Sequence, residues 1–214
     1  MRAVLLGALF GTVIGGSVCG YAQADTTILK QVDDHYNHLA SLKTRFTERY
    51  TGLGMDRTEA GTLLLKKPGR MRWDYATPAG KTFVLDGKYA WSYTPGDAQV
   101  QRSPAKLIED LRSPLRFLLG HTQLEKELDH LDVAARPGGF QITGIPKGAG
   151  NRIKQLLLKT TMDGQISTIR LEEVDGAVTE FTFTESQENL KIPESEFRYT
   201  PPDGVTVIDG LPPV

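Results

Sequence analysis

The sequence predicts a mainly β protein with some helix: one long meandering antiparallel sheet, curled and unclosed, with helices covering its apolar concave face. Three observations lead there. Apolar residues recur at every second position through about ten short stretches, the period of a strand with one buried face. The breaks between stretches are turn chemistry: "KPG", "TPAG", "DGK", "PGD", "MDG" and "VDG". Only two stretches keep a helical period, and each is apolar on one side.

The first helical stretch is expected over residues 25–42. Ile28, Val32, Tyr36 and Leu39 fall on one stripe, with Leu42 close to it, while Asp33, Asp34, His35 and Asn37 lie elsewhere. The period then changes to two, with Leu42, Thr44, Phe46, Glu48 and Tyr50 alternating with Lys43, Arg45, Thr47 and Arg49. Strands follow at 59–66, 70–75, 81–85, 89–93 and 98–101. Asp86-Gly87 between two apolar runs is a hairpin signal. Residues 103–120 read as the second helical stretch, with Ser103 as N-cap and Pro104 as first helical residue. Pro114 should kink or split it. Strands resume at 131–135, 140–145, 153–160, 165–173 and 177–184. A twisted sheet of that many strands curls rather than staying flat, and two amphipathic helices are best buried on its concave side.

The N-terminus reads as a secretory signal peptide over 1–24. Arg2 is its basic start, 3–18 its apolar run, and Ala22-Gln23-Ala24 its cleavage site. Val18 before Cys19 fits a lipid-attachment site poorly. One domain is expected over 25–214, and its only cysteine leaves with the signal. With a net charge of −1, nothing suggests nucleic acid, which would call for a basic face. There is no G-x-S-x-G, no glycine-rich phosphate loop and no cysteine nucleophile in the mature chain, so no enzyme and no cofactor are expected. His35 and His38 beside Asp34 fall short of the known zinc spacings, and no metal is expected.

One parity of the central strands is large and soft: Met71, Trp73, Tyr75, Phe83, Leu85, Trp91 and Tyr93. Taken alone these residues suit either an ordinary core or an apolar pocket. The stretch "LKKPGRMRWDYATPAGKTFVLDGKYAWSYTPGDAQV" resembles the periplasmic outer-membrane lipoprotein carrier family LolA. That family has a Lys/Arg-Pro step, an aromatic-x-Trp strand, a "DG" hairpin and then W-x-Y-x-P. The closing "FRYTPPDGVTVID" is similar to the family's end segment. The resemblance implies a half-barrel of about eleven strands under helices. It also implies an acyl-chain cavity lined here by Met71, Trp73, Phe83, Leu85, Trp91 and Tyr93.

The resemblance further implies a lid latch at Lys67, where the family usually has arginine. The matched side chain would reach carbonyls near Tyr36 on the first helix and Leu118 and Leu119 on the second. Helix C-terminal carbonyls lack intrahelical partners and attract cations. Lysine offers three donors on one point against the five of a planar guanidinium, so a weaker latch is expected. The implied function is a periplasmic chaperone of lipoprotein transport in outer-membrane biogenesis, acting as a monomer. Its implied partners are acylated lipoproteins as cargo, an inner-membrane lipoprotein exporter complex as donor and an outer-membrane receptor lipoprotein as acceptor. The alternative is a related half-barrel that binds a different lipid or senses envelope stress.

Overall fold

The structure is a computed structural model describing residues 21–107, 118 and 123–210. A helix, α1 (Tyr21–His38), precedes six strands: β1 (Ser41–Gly52), β2 (Met55–Lys66), β3 (Arg70–Thr77), β4 (Thr82–Asp86), β5 (Tyr89–Tyr93) and β6 (Gln99–Pro104). A short helix α2 (Leu124–Glu127) leads into β7 (Leu128–Arg136), β8 (Gly139–Pro146), β9 (Ile153–Thr161), β10 (Ile166–Glu173) and β11 (Val178–Glu188). The last strand is β12 (Thr206–Asp209). All twelve form one sheet in the order β12-β6-β5-β4-β3-β2-β1-β11-β10-β9-β8-β7. Every pairing is antiparallel except β12 with β6, and β7 and β12 are its two edges, so the barrel is unclosed.

The hairpins fall where the turn residues put them. Within β1–β6 and within β7–β11 successive strands are sheet neighbours; the chain between β6 and β7 passes from one side of the sheet to the far edge, and the meander back brings β11 beside β1. At the β2–β3 pairing the register shifts between Ala60 and Gly61. A Cβ on Gly61 would stand 2.1 Å from the carbonyl oxygen of Asp74, so only glycine lets the strands approach there.

Paired residues share a face, and the register therefore defines an inner and an outer side. The inner face carries Leu42–Leu65–Met71–Leu85–Ala90 in one row and Thr44–Leu63–Trp73–Phe83 in the next. α1 covers this face with Ile28, Leu29, Val32 and Tyr36, and Leu39 just past its end joins them; all are buried in the same cluster as the inner rows. Gly164, at φ +87°, lets the β9–β10 turn lie against α1. A Cβ there would come within 2.8 Å of the Gln31 carbonyl carbon.

Three expectations are corrected. The first helix ends at His38, and Leu42 belongs to β1. Ser103 does not cap a helix. It and Pro104 close β6, and the buried Ser103 hydroxyl donates to the Gly210 carbonyl at 2.8 Å. A single 3-10 turn follows at Ala105–Leu107, and most of the second helical stretch, including Leu119, lies outside the described residues. The third correction is β12, which was not expected as a strand and adds a parallel edge.

A second, smaller core lies on the outer face. Val84, Val100, Ile192 and Phe197 are buried there, apart from the main cluster. The 3-10 turn Glu194–Phe197 rests on β3 and β4, and the chain beyond it runs back as a strap to β12. Glu194 ties it down by pairing with Lys66 and Arg70, each at 2.7 Å, and those cations hold its carboxyl below the usual range.

Candidate ligand-binding face

Six inner-face residues form the apolar floor. Leu63, Leu65 and Met71 have no exposed surface, and Trp73, Leu85 and Phe46 are nearly as deep. Phe46, Trp73, Phe181 and Phe183 meet ring to ring. Phe46 and Trp73 stand edge to face at 4.5 Å, and the two phenylalanines of β11 stack at 6.4 Å. Phe83 packs against the cluster from a half-buried position.

The register brings together only part of the expected cavity set. Met71, Trp73, Phe83 and Leu85 share the inner face. Trp91 and Tyr93 do not join them. The β4–β5 register pairs Leu85 with Ala90 and Val84 with Trp91, so the odd positions of β5 face outward. Trp91 sits beside Arg102, and its indole donates to Asp86 at 2.8 Å. Its ring lies 5.5 Å from Tyr199 of the strap. Strand alternation was correctly read, but the parity across the "DGK" turn was not.

Lys67 stands at the end of β2, where α1 finishes. Its backbone N–H donates to the Ala40 carbonyl at 2.9 Å, and its ammonium donates to the carbonyl of Tyr36. That carbonyl is free for a structural reason. The N–H that would continue the helix to it, that of Ala40, donates instead to Asn189 Oδ1 at 2.9 Å. Burial pushes the Lys67 amine below its usual range. Tyr36 is anchored at its other end too, because its hydroxyl accepts from the Ile166 N–H at 3.0 Å. Leu118 is buried in the main cluster, under the same roof as α1.

The opposite end of the inner face is polar, which the residue alternation hinted at by placing Glu48 on the apolar parity. Glu48 and Glu59 are direct cross-strand partners. Glu59 is buried, and it binds both Lys81 and Arg57, the latter at 3.3 Å. Glu48 accepts from the Tyr75 hydroxyl at 3.3 Å. Burial raises the Glu48 carboxyl; Lys81 opposes this and Glu59 adds to it. The Lys81 ammonium also sits 4.3 Å from the Tyr75 ring centre.

His35 and His38 do not converge. His35 pairs with Glu188 at 2.9 Å, and His38 with the Asp34 carbonyl at 2.8 Å. Among the described residues no three His, Cys, Asp or Glu side chains gather as a metal set.

The fold and site define a helix-covered half-barrel whose enclosed face is apolar along most of its length and ionic at one end. Residues 37–200 match the family model described as outer membrane lipoprotein carrier protein LolA, and the chain belongs to that family. It is 30% identical to the outer-membrane lipoprotein carrier protein of Proteus mirabilis, over 98% of this chain and 99% of the relative. It is 31% identical to that of Nitrosospira multiformis, over 71% of this chain and 72% of the relative. Among solved structures it shares its fold with an uncharacterized conserved protein from Thermus thermophilus. The TM-score is 0.55 at 14% identity, covering 86% of this chain and 98% of that one.

Proposed function

We propose that the protein is a periplasmic carrier that takes the acyl chains of lipoproteins against its inner face and ferries them from the inner to the outer membrane. Membership of the lipoprotein-carrier family supports the cargo class. The observation that carries the mechanism is the Lys67 ammonium donating to a helix-end carbonyl of the covering α1. A cover held by such a contact can lift without any covalent step. Each CH₂ that enters the apolar floor contributes about 0.8 kcal/mol, so long chains bind without chemistry. Breaking the α1 contacts offsets part of that gain and keeps cargo transferable. The donor would be an inner-membrane exporter complex and the acceptor an outer-membrane receptor lipoprotein. In this reading the signal ends at Ala24, the mature domain is 25–214 and the carrier acts as a monomer.

Native mass spectrometry with lipid extraction tests it, on mature protein purified from the periplasm of its own cells. Co-purified acylated lipoprotein is the expected result. Free phospholipid as the sole ligand would transfer the protein to the lipid-binding alternative. An empty protein that also ignores apolar dyes would mean that the inner face is only a core.

A further inference from the structure

We infer that the indole N–H of Trp73 seats the carbonyl of an acyl linkage, so that the site selects ester- or amide-linked chains over ether-linked ones. The inference rests on the carrier reading above and names the bond class within that cargo.

Trp73 is 2% exposed, and its Nε1 has no hydrogen-bond partner among the described residues. Buried indoles normally find an acceptor, and a buried donor without one is costly. The chain has two tryptophans, and the other follows the rule: Trp91 donates to Asp86 on the outer face. The rings around Trp73 are Phe46 at 4.5 Å, Phe181 at 5.5 Å and Phe183 at 6.4 Å, none of which carries a lone-pair acceptor. The donor is therefore unmet within an apolar cluster of aromatic rings.

Its position along the sheet suggests what completes it. On one side lie Leu65, Met71 and Leu85, wholly apolar. On the other, one step along β3, lies Tyr75 with Glu48, and beyond them Glu59 and Lys81. Trp73 marks the boundary. A lipid whose chains run along the apolar part and whose polar part turns to the ionic end brings its linkage carbonyl beside this N–H. Hydrocarbon alone leaves the donor unmet. An ether oxygen is a weak and crowded acceptor, while an ester or amide carbonyl is a strong one.

Two tryptophans give two indole signals in a proton–nitrogen correlation spectrum, and Trp91 serves as the internal control. The protein is titrated with dipalmitoylglycerol and with the matching dihexadecyl ether, and displacement of a naphthylamine dye reports binding of each. The expected result is a downfield shift of the Trp73 indole proton with the ester and not with the ether, while Trp91 stays still. Trp73→Phe should then weaken the ester about 5- to 10-fold more than it weakens the ether, the difference reporting the lost N–H and the common part the lost ring area. Equal indole shifts from two lipids that both displace the dye would overturn the inference and leave the carrier reading standing. If neither lipid displaces the dye, the carrier reading fails and this inference falls with it. The wild-type spectrum decides the matter even if Trp73→Phe does not fold.

Discussion

Lys67 illustrates how one residue couples a loop to the end of a helix. Its backbone N–H holds the Ala40 carbonyl, while its side chain holds Tyr36 one turn earlier. Lys67→Leu keeps the first contact and removes the second, so the chain path should survive while the end of α1 loosens. A hydrogen bond from a charged donor contributes about 1.5–3 kcal/mol, offset by the cost of dehydrating the ammonium. We therefore expect faster amide exchange at Leu39 and Ala40, and several-fold faster uptake and release of an apolar dye by stopped flow. Unchanged exchange together with unchanged dye kinetics would remove Lys67 from the proposed lid mechanism. A Lys67 contact near Tyr36 is implied by the family resemblance, not by spacing. Nothing local in "KKPG" points to a carbonyl 31 residues earlier. The unmet donor of Trp73 was invisible in the sequence for a related reason, since satisfaction of an indole depends on which neighbours carry lone pairs.

Among elements, the outer strap is the clearest test of a two-sided sheet. Phe197 is 1% exposed beneath the strap, on the side away from α1. Replacing a buried phenylalanine by alanine typically costs about 3–5 kcal/mol through lost transfer energy and the cavity left behind. Phe197→Ala should lower the urea midpoint strongly while leaving the dye affinity of the folded fraction unchanged. Leu63→Ala, on the inner face, should change both. An affinity loss with Phe197→Ala as large as that with Leu63→Ala would mean that the faces are not independent. Hairpins were legible because Asp-Gly and Pro-Gly steps force turns wherever they stand. The face of β5 was not, because four residues separate Leu85 from its partner Ala90 and the parity of such a loop depends on register. Ser103-Pro104 imitates a helix start, but the hydroxyl was taken by Gly210, which lies over a hundred residues away. β12 was illegible for the same reason: its partner is distant, parallel and short.

At the scale of the whole molecule, α1 on the inner side and the strap on the outer side hold one open sheet between them, and Tyr36 is where helix and sheet are joined. Its hydroxyl accepts from the backbone of β10, and burial holds its proton far above the usual tyrosine range near 10, more than offsetting that hydrogen bond. Tyr75 is raised as well, by burial and then by Glu48 and Glu59. Above pH 10 the unfolded chain gives up these protons and the folded chain keeps them. The unfolded state then binds fewer protons, so stability falls as pH rises, by about 1.4 kcal/mol per pH unit for each phenol still protonated. Lys67 acts in the opposite direction, because its lowered amine favours folding as pH climbs toward 10.5. Comparing Tyr36→Phe with the unaltered protein cancels both Tyr75 and Lys67. At pH 8 the variant should be less stable by about 1–2 kcal/mol, since the Ile166 N–H loses its acceptor. Between pH 10 and 11.5 its stability should fall less steeply, and the gap between the two proteins should close or invert. Urea unfolding at half-unit steps from pH 8 to 11.5 measures both slopes. Parallel curves across that window would mean that the Tyr36 phenol titrates alike in the two states, and the joint between α1 and β10 would then be open to water.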